Sequence, residues 1–182
     1  MRIIDKTNYD EYLLENEVNS NWKKRDFVTE VEKYINSVLS KVLLISGLRG
    51  TGKSIGVLQA INEKDAVYIT MEQGILTSAE ELIKLLSTRD EKIIVLDEYT
   101  WVNGRKDSEL DGYLYTLASR GKRIIVTGTE SLSLEALKLG PLIHRAITIH
   151  TTHMSFSEYC RLYWSRIWAK TSRQIPRGYK SR

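Results

Sequence analysis

The spacing of hydrophobic positions changes character along the chain, and the changes mark out its elements. In residues 8–39 apolar side chains recur at helical intervals. Tyr9, Tyr12 and Leu13 open one face, and Val28, Val31, Tyr34, Ile35 and Val38 continue it. The intervening residues 16–25 are too polar for one unbroken helix. From residue 41 onward short apolar runs alternate with amphipathic stretches. The runs predict strands at 42–46, 66–70, 93–97, 123–127 and 146–150, and the stretches predict helices at 53–61, 78–87, 108–119 and 132–138. Ser78 and Glu81 form a capping-box pattern just before Leu82, Ile83, Leu85 and Leu86. Ser155 and Glu158 do the same for a last helix over 156–169, which carries Tyr159, Tyr163, Trp164, Ile167 and Trp168. The Gln174-Ile175-Pro176-Arg177-Gly178 stretch then reads as a linker.

Runs such as Ile93-Ile94-Val95-Leu96 and Ile124-Ile125-Val126 are continuously apolar. Strands of that kind belong to a parallel sheet covered on both faces. Alternation of strand and helix gives an α/β domain, with its ligand at the carboxyl ends of the strands. The expected organisation is a helical N-terminal extension over 1–40, a core over 41–152, and a C-terminal helix with a basic tail or linker over 153–182.

Composition narrows the setting. A chain of 182 residues is expected to form one domain with a substantial core. Cys160 is the single cysteine, so no internal disulfide framework exists. No apolar run approaches the ~20 residues that a spanning helix needs, and Met1-Arg2-Ile3-Ile4-Asp5 lacks a signal-peptide layout. A cytoplasmic protein is the expectation. Of the 27 basic residues, seven follow Glu158 with no acid among them, which leaves residues 1–158 at −3 within a net charge of +4. The positive charge is a property of the tail, where it could meet nucleic-acid phosphate or end in solvent.

The strongest chemical signal is Gly47-Leu48-Arg49-Gly50-Thr51-Gly52-Lys53-Ser54, the Walker A pattern, placed between a predicted strand and a predicted helix. Its glycines let the backbone curl around an anion so that N–H groups point inward, and the following helix adds its positive end. Candidate nucleotide contacts are Gly47, Arg49, Gly50, Thr51, Gly52, Lys53, Ser54 and Ile55. Lys53 is expected to reach the β- and γ-phosphates, and Ser54 to enter the Mg²⁺ shell. The run ending in Asp97-Glu98 is the Walker B candidate. Asp97 would hold Mg²⁺ through water, and Glu98 would polarise the attacking water. A third run ends in Thr127-Gly128-Thr129. Thr127, with Thr129 as second choice, could bond the γ-phosphate or the water, or could only make local turn bonds. No Asn-Lys-x-Asp guanine motif stands in the right place, so adenine is favoured. His150 and His153 have no cysteine or carboxylate nearby in sequence to complete a metal site, and Cys160 reads as packing. Tyr99 to Lys106, with Trp101 beside two bases, could form a partner loop.

These motifs, with Val126-Thr127-Gly128-Thr129-Glu130-Ser131, Leu134-Glu135-Ala136-Leu137, His144-Arg145 and Met154-Ser155-Phe156-Ser157-Glu158-Tyr159, resemble the prokaryotic AAA-type P-loop ATPases. Within those, the likeness is to the archaeal-ATPase and STAND-related group of the additional-strand, catalytic-glutamate class, over roughly residues 40–165. The resemblance implies a RecA-like P-loop NTPase core with a parallel five-stranded sheet, in which another strand separates the Walker B strand from the phosphate-loop strand. It implies hydrolysis of ATP with Mg²⁺, Lys53 and Glu98 in catalysis, Thr127 in a sensor-like place, and Arg145 acting on a γ-phosphate in the same or a neighbouring subunit. His144 stands where such relatives have glycine, and they usually continue into a further C-terminal domain. A DNA or protein partner reached through the C-terminal region, and a homo-oligomer, are compatible expectations. The alternatives are a nucleotide-dependent switch with negligible hydrolysis and a small-molecule kinase.

Overall fold

Successive strand residues point to opposite sides of a sheet, and here both sides are buried. Leu43, Ile45, Tyr68, Val95 and Ile125 enter one apolar cluster, whereas Leu44, Val67, Ile94, Leu96 and Val126 enter another. The continuous apolar runs thus reflect burial on two faces. The computed structural model describes residues 1–19, 22–71, 77–103, 109–129, 142 and 144–171, the side chains of Asn103 and of residues 164–171 excepted. The strands are β1 (Arg2–Ile4), β2 (Val42–Gly47), β3 (Ala66–Thr70), β4 (Thr77–Ser78), β5 (Ile93–Asp97), β6 (Val102–Asn103), β7 (Arg123–Gly128) and β8 (Ala146–Thr151). The helices are α1 (Tyr9–Glu15), α2 (Asp26–Ile35), α3 (Lys53–Ile61), α4 (Ala79–Ser87), α5 (Glu109–Ser119) and α6 (Phe156–Thr171). The expected helix over 132–138 and the Gln174–Gly178 linker lie outside the described residues.

The main sheet has the order β1-β3-β5-β7-β2-β8. Its last five strands are mutually parallel, as expected, and β7 separates the phosphate-loop strand β2 from the Walker B strand β5. The sheet has six strands rather than five, because β1 adds antiparallel to the free edge of β3. Three residues are too few to show a hydrophobic period; pairing with an open edge makes them a strand. A small parallel pair, β4 with β6, stands apart. Helices α4 and α5 cover one face, while α1, α2 and α3 cover the other. The pattern at Ser78 and Glu81 does not become a capping box: Ser78 is the N-cap of α4, but its side chain makes no capping bond.

Helix α2 buries Phe27, Val28, Val31 and Tyr34, one helical stripe, against α3 and the sheet. The Tyr34 hydroxyl accepts the Ile124 N–H at 3.0 Å, fastening α2 to β7. Gly56 of α3 makes the α2–α3 contact close. A Cβ there would lie 2.3 Å from Phe27 Cζ and 3.0 Å from Val28 Cγ2. Gly→Ala inside a helix normally gains about 1 kcal/mol. Overpacking costs about 1–3 kcal/mol, and between two buried side chains it should win. Gly56→Ala is therefore expected to lower the unfolding free energy by about 1 kcal/mol, read as a lower urea midpoint. An unchanged or higher midpoint would mean that Phe27 swings aside freely.

Candidate active site

Parallel strands running together bring the loops that follow β2, β5 and β7 to one edge, so the sheet assembles the site from segments far apart in sequence. Between β2 and α3 the phosphate loop turns through Gly50 and Gly52, both at φ 79°, a conformation that glycine takes without strain. Gly47 packs against β8 so closely that a Cβ would meet the Thr151 carbonyl and hydroxyl at 2.2 Å. Lys53 and Ser54 form the first turn of α3, with Ile55 next and Gly52 as N-cap. Arg49 is exposed on the loop. Lys53 is buried, 5% exposed as a residue. It donates to the Gly47 and Leu48 carbonyls at 2.9 Å each. Burial pushes its pKa down, and the charges of Glu98 and Asp97 partly restore it.

Asp97, the last residue of β5, is enclosed by hydroxyls. Ser54 Oγ lies 3.1 and 3.0 Å from its two carboxylate oxygens. Tyr68 of β3 donates to Oδ2 at 2.5 Å, and Thr127 of β7 donates to Oδ1. Burial, then the charge of Asp97, drives the Tyr68 phenol well above its ordinary pKa, so it stays a donor. The expected role of Thr127 as a direct phosphate or water contact differs from its place here. It is fully buried, turns its hydroxyl to Asp97, and accepts the Glu98 N–H at 3.2 Å. It thus bridges the Asp97 carboxylate and the Glu98 backbone. Tyr68 was not among the expected site residues. Its signal is a phenol in an otherwise apolar buried strand, whose hydroxyl must find a partner.

Glu98 follows with φ 55°, in the left-handed region. Thr129 Oγ1 donates to its Oε2 at 3.3 Å. Burial and the neighbouring Asp97 charge raise the Glu98 pKa; Lys53, the Thr129 bond and Arg49 oppose that rise. The loop, Lys53, Ser54, Asp97, Glu98, Thr127 and Thr129 thus meet at the carboxyl edge of the sheet. Arg145 does not join them. Its carbonyl accepts from Val42 N at 2.9 Å, at the amino end of β2. At about 3.3 Å per strand residue the phosphate loop is roughly 17 Å away, beyond an arginine's reach within one chain. The Arg145 guanidinium stacks on the Tyr115 ring at 4.2 Å from its centre. His144, standing for the expected glycine, adopts a glycine-like φ of 59°.

The donor set at Ser54 and Asp97 suits Mg²⁺. It consists of hard oxygens, one hydroxyl and one carboxylate in contact, leaving most of the shell to water and phosphate. Among the described residues no cluster of three or more His, Cys, Asp or Glu offers an all-protein cage. His150 lies with Nδ1 2.7 Å from Ser46 Oγ. Among the described residues no helix is long and apolar enough to cross a membrane.

Solved structures share the architecture. The chain is similar to the Walker-type ATPase Paby2304 of Pyrococcus abyssi, with 18% identity, TM-score 0.55, and coverage of 87% of this chain and 63% of that one. It is similar to the Aeropyrum pernix ORC1 protein in complex with DNA, with 13% identity, TM-score 0.56, and coverage of 78% and 48%. It is also similar to Hsp104 with ATPγS and FITC-casein, with 14% identity, TM-score 0.59, and coverage of 89% and 32%. At such identities the likeness is one of fold, and the chain spans between 32% and 63% of the length of these proteins. No curated protein sequence matches it. Residues 39–160, from just before β2 into α6, match the AAA domain family, and the chain therefore belongs to that family of P-loop ATPase domains.

Proposed function

We propose that this domain binds Mg·ATP and hydrolyses it, using the cycle to switch or remodel a partner. One observation carries the reading: the Walker A hydroxyl of Ser54 touches the Walker B carboxylate of Asp97, with Glu98 next in chain. In the reaction, Lys53 leaves the Gly47 and Leu48 carbonyls for the β- and γ-phosphates, while loop N–H groups and the start of α3 hold the anion. Ser54, and Asp97 through water, would hold Mg²⁺, which supplies charge neutralisation to the phosphates when bound. Glu98 accepts a proton from water as the water oxygen bonds to the γ-phosphorus. The bond from that phosphorus to the bridging oxygen breaks, and ADP departs with the electron pair. Tyr68 and Thr127 hold the Asp97 carboxylate in place through their hydroxyls.

Arg145 belongs to the same reading, acting on the nucleotide of a neighbouring copy. It is exposed, and the phosphate loop of its own chain is out of reach. Such a role requires a homo-oligomer. DNA or a protein, met through the C-terminal region, is the partner class we favour, and a reducing compartment such as the cytoplasm suits a chain with one thiol. The test is phosphate release from ATP by purified protein, with and without duplex DNA. Release that stops when Mg²⁺ is chelated supports the reading. Transfer of the γ-phosphate to an added metabolite would instead support a kinase.

A further inference from the structure

Behind the phosphate loop lies an ion pair that nucleotide chemistry does not by itself require. Arg25, the residue before α2, sends Nη1 to the Thr51 carbonyl of the loop at 2.7 Å and to the Thr152 carbonyl after β8 at 3.0 Å. Its Nε and Nη2 fork onto the Glu158 carboxylate of α6 at 3.2 and 2.7 Å. Glu158 Oε1 also accepts the Asp26 N–H at 3.0 Å, so a carboxylate from α6 caps α2. Both side chains are largely buried, 17% and 8% exposed. One turn on, Arg161 holds both carboxylate oxygens of Asp26 at 2.6 Å. The Thr51 side chain is latched to the same flank, its hydroxyl 2.9 Å from that of Thr151.

The position of Thr51 gives this cluster a function. All peptide bonds described are trans. The Thr51 carbonyl and the Gly52 N–H therefore point in opposite directions within one rigid plane. Arg25 holds the carbonyl, and the N–H points away from it, toward the side where the nucleotide reading puts the phosphates. A cation bonded to the carbonyl polarises the peptide and strengthens its N–H as a donor. A buried ion pair is a poor choice for mere stapling, since apolar residues would serve as well or better. Its bonds do what an apolar contact cannot: they join a loop carbonyl to a helix far away in sequence.

We propose that Arg25 and Glu158 form a relay coupling nucleotide at the phosphate loop to the seating of α6. The relay rests on the nucleotide-binding reading above, and because coupling is reciprocal, displacing α6 weakens nucleotide binding as nucleotide steadies α6. Neither residue is catalytic; both position.

The test uses Mg·ADP as probe, on wild type, Arg25→Lys, Glu158→Gln and the double variant, with affinity from calorimetry and amide exchange across residues 156–163. Mg·ADP should slow exchange in α6 of the wild type. Each single variant should bind Mg·ADP about fivefold or more weakly, as expected for a lost charge-assisted bond, and should lose the response in α6. The double variant should bind no worse than the weaker single. Unchanged affinities, multiplying effects, or a response in α6 that survives in the variants would overturn the relay. So would a wild type that binds Mg·ADP with no change in α6, a result that needs no variant to fold. A wild type that does not bind Mg·ADP at all would instead remove the nucleotide reading.

Discussion

Replacing Glu98 with Gln should reduce ATP turnover by about 10²–10⁴-fold, the range for losing a general base, and leave nucleotide affinity almost unchanged. The substitution keeps size and shape, and an amide oxygen can still accept the Thr129 hydroxyl that now bonds Oε2 at 3.3 Å. It removes only the ability to take a proton. The backbone argues that this side chain is held for a purpose. A non-glycine residue at φ 55° costs about 1–2 kcal/mol relative to ordinary backbone. The conformation persists because Thr127 accepts the Glu98 N–H and the next residue, Tyr99, is fully buried with its hydroxyl 3.0 Å from Asp111. Phosphate release measures turnover, and binding of a fluorescent ATP analogue measures affinity. Equal turnover in wild type and variant would remove Glu98 from the mechanism. Tight ATP binding with no turnover in either would favour the nucleotide-dependent switch.

The inner strands were legible because burial on both faces turns each into a nearly uninterrupted apolar run, as in Ile93–Asp97, where only the last residue is charged. The phosphate loop was legible because its chemistry is local: every group it needs lies within eight residues. What the sequence concealed were partners across strands and between helices. Ser155 and Glu158 look like a local cap, and Ser155 Oγ does accept the Glu158 N–H at 3.2 Å. The Glu158 carboxylate, however, turns to Arg25, 133 residues earlier. Tyr68 looks like one more apolar strand residue until the register of β3 on β5 sets Thr70 opposite Asp97 and brings the phenol within reach. Arg145 stands in the right order along the chain for a γ-phosphate contact. Only the direction of β8, parallel to β2, shows that it sits at the far edge of its own sheet.

Lys53→Ala should abolish the stabilisation that nucleotide confers while barely changing the stability of the free protein. In the free state the ammonium rests on two loop carbonyls, and desolvation already depresses its pKa, so its removal relieves a desolvation cost as it deletes two hydrogen bonds. With Mg·ADP, which lacks the γ-phosphate, the balance is still one-sided, since the charge-assisted contact to the β-phosphate, at about 1.5–3 kcal/mol, is lost with nothing regained. A loss of affinity of about 100-fold, about 2.7 kcal/mol, lies in the upper part of that range. Mg·ADP at 100 times the wild-type Kd stabilises the wild type by about 2.7 kcal/mol, whereas the same concentration would give the variant about 0.4 kcal/mol. For a domain of this size those values correspond to shifts in Tm of about 5–10 °C and about 1 °C. Thermal unfolding with and without Mg·ADP reads both numbers from one pair of samples. A full shift in the variant would mean that nucleotide binds without this lysine. A free protein destabilised as much as the complex would mean that Lys53 holds the loop together rather than the phosphates.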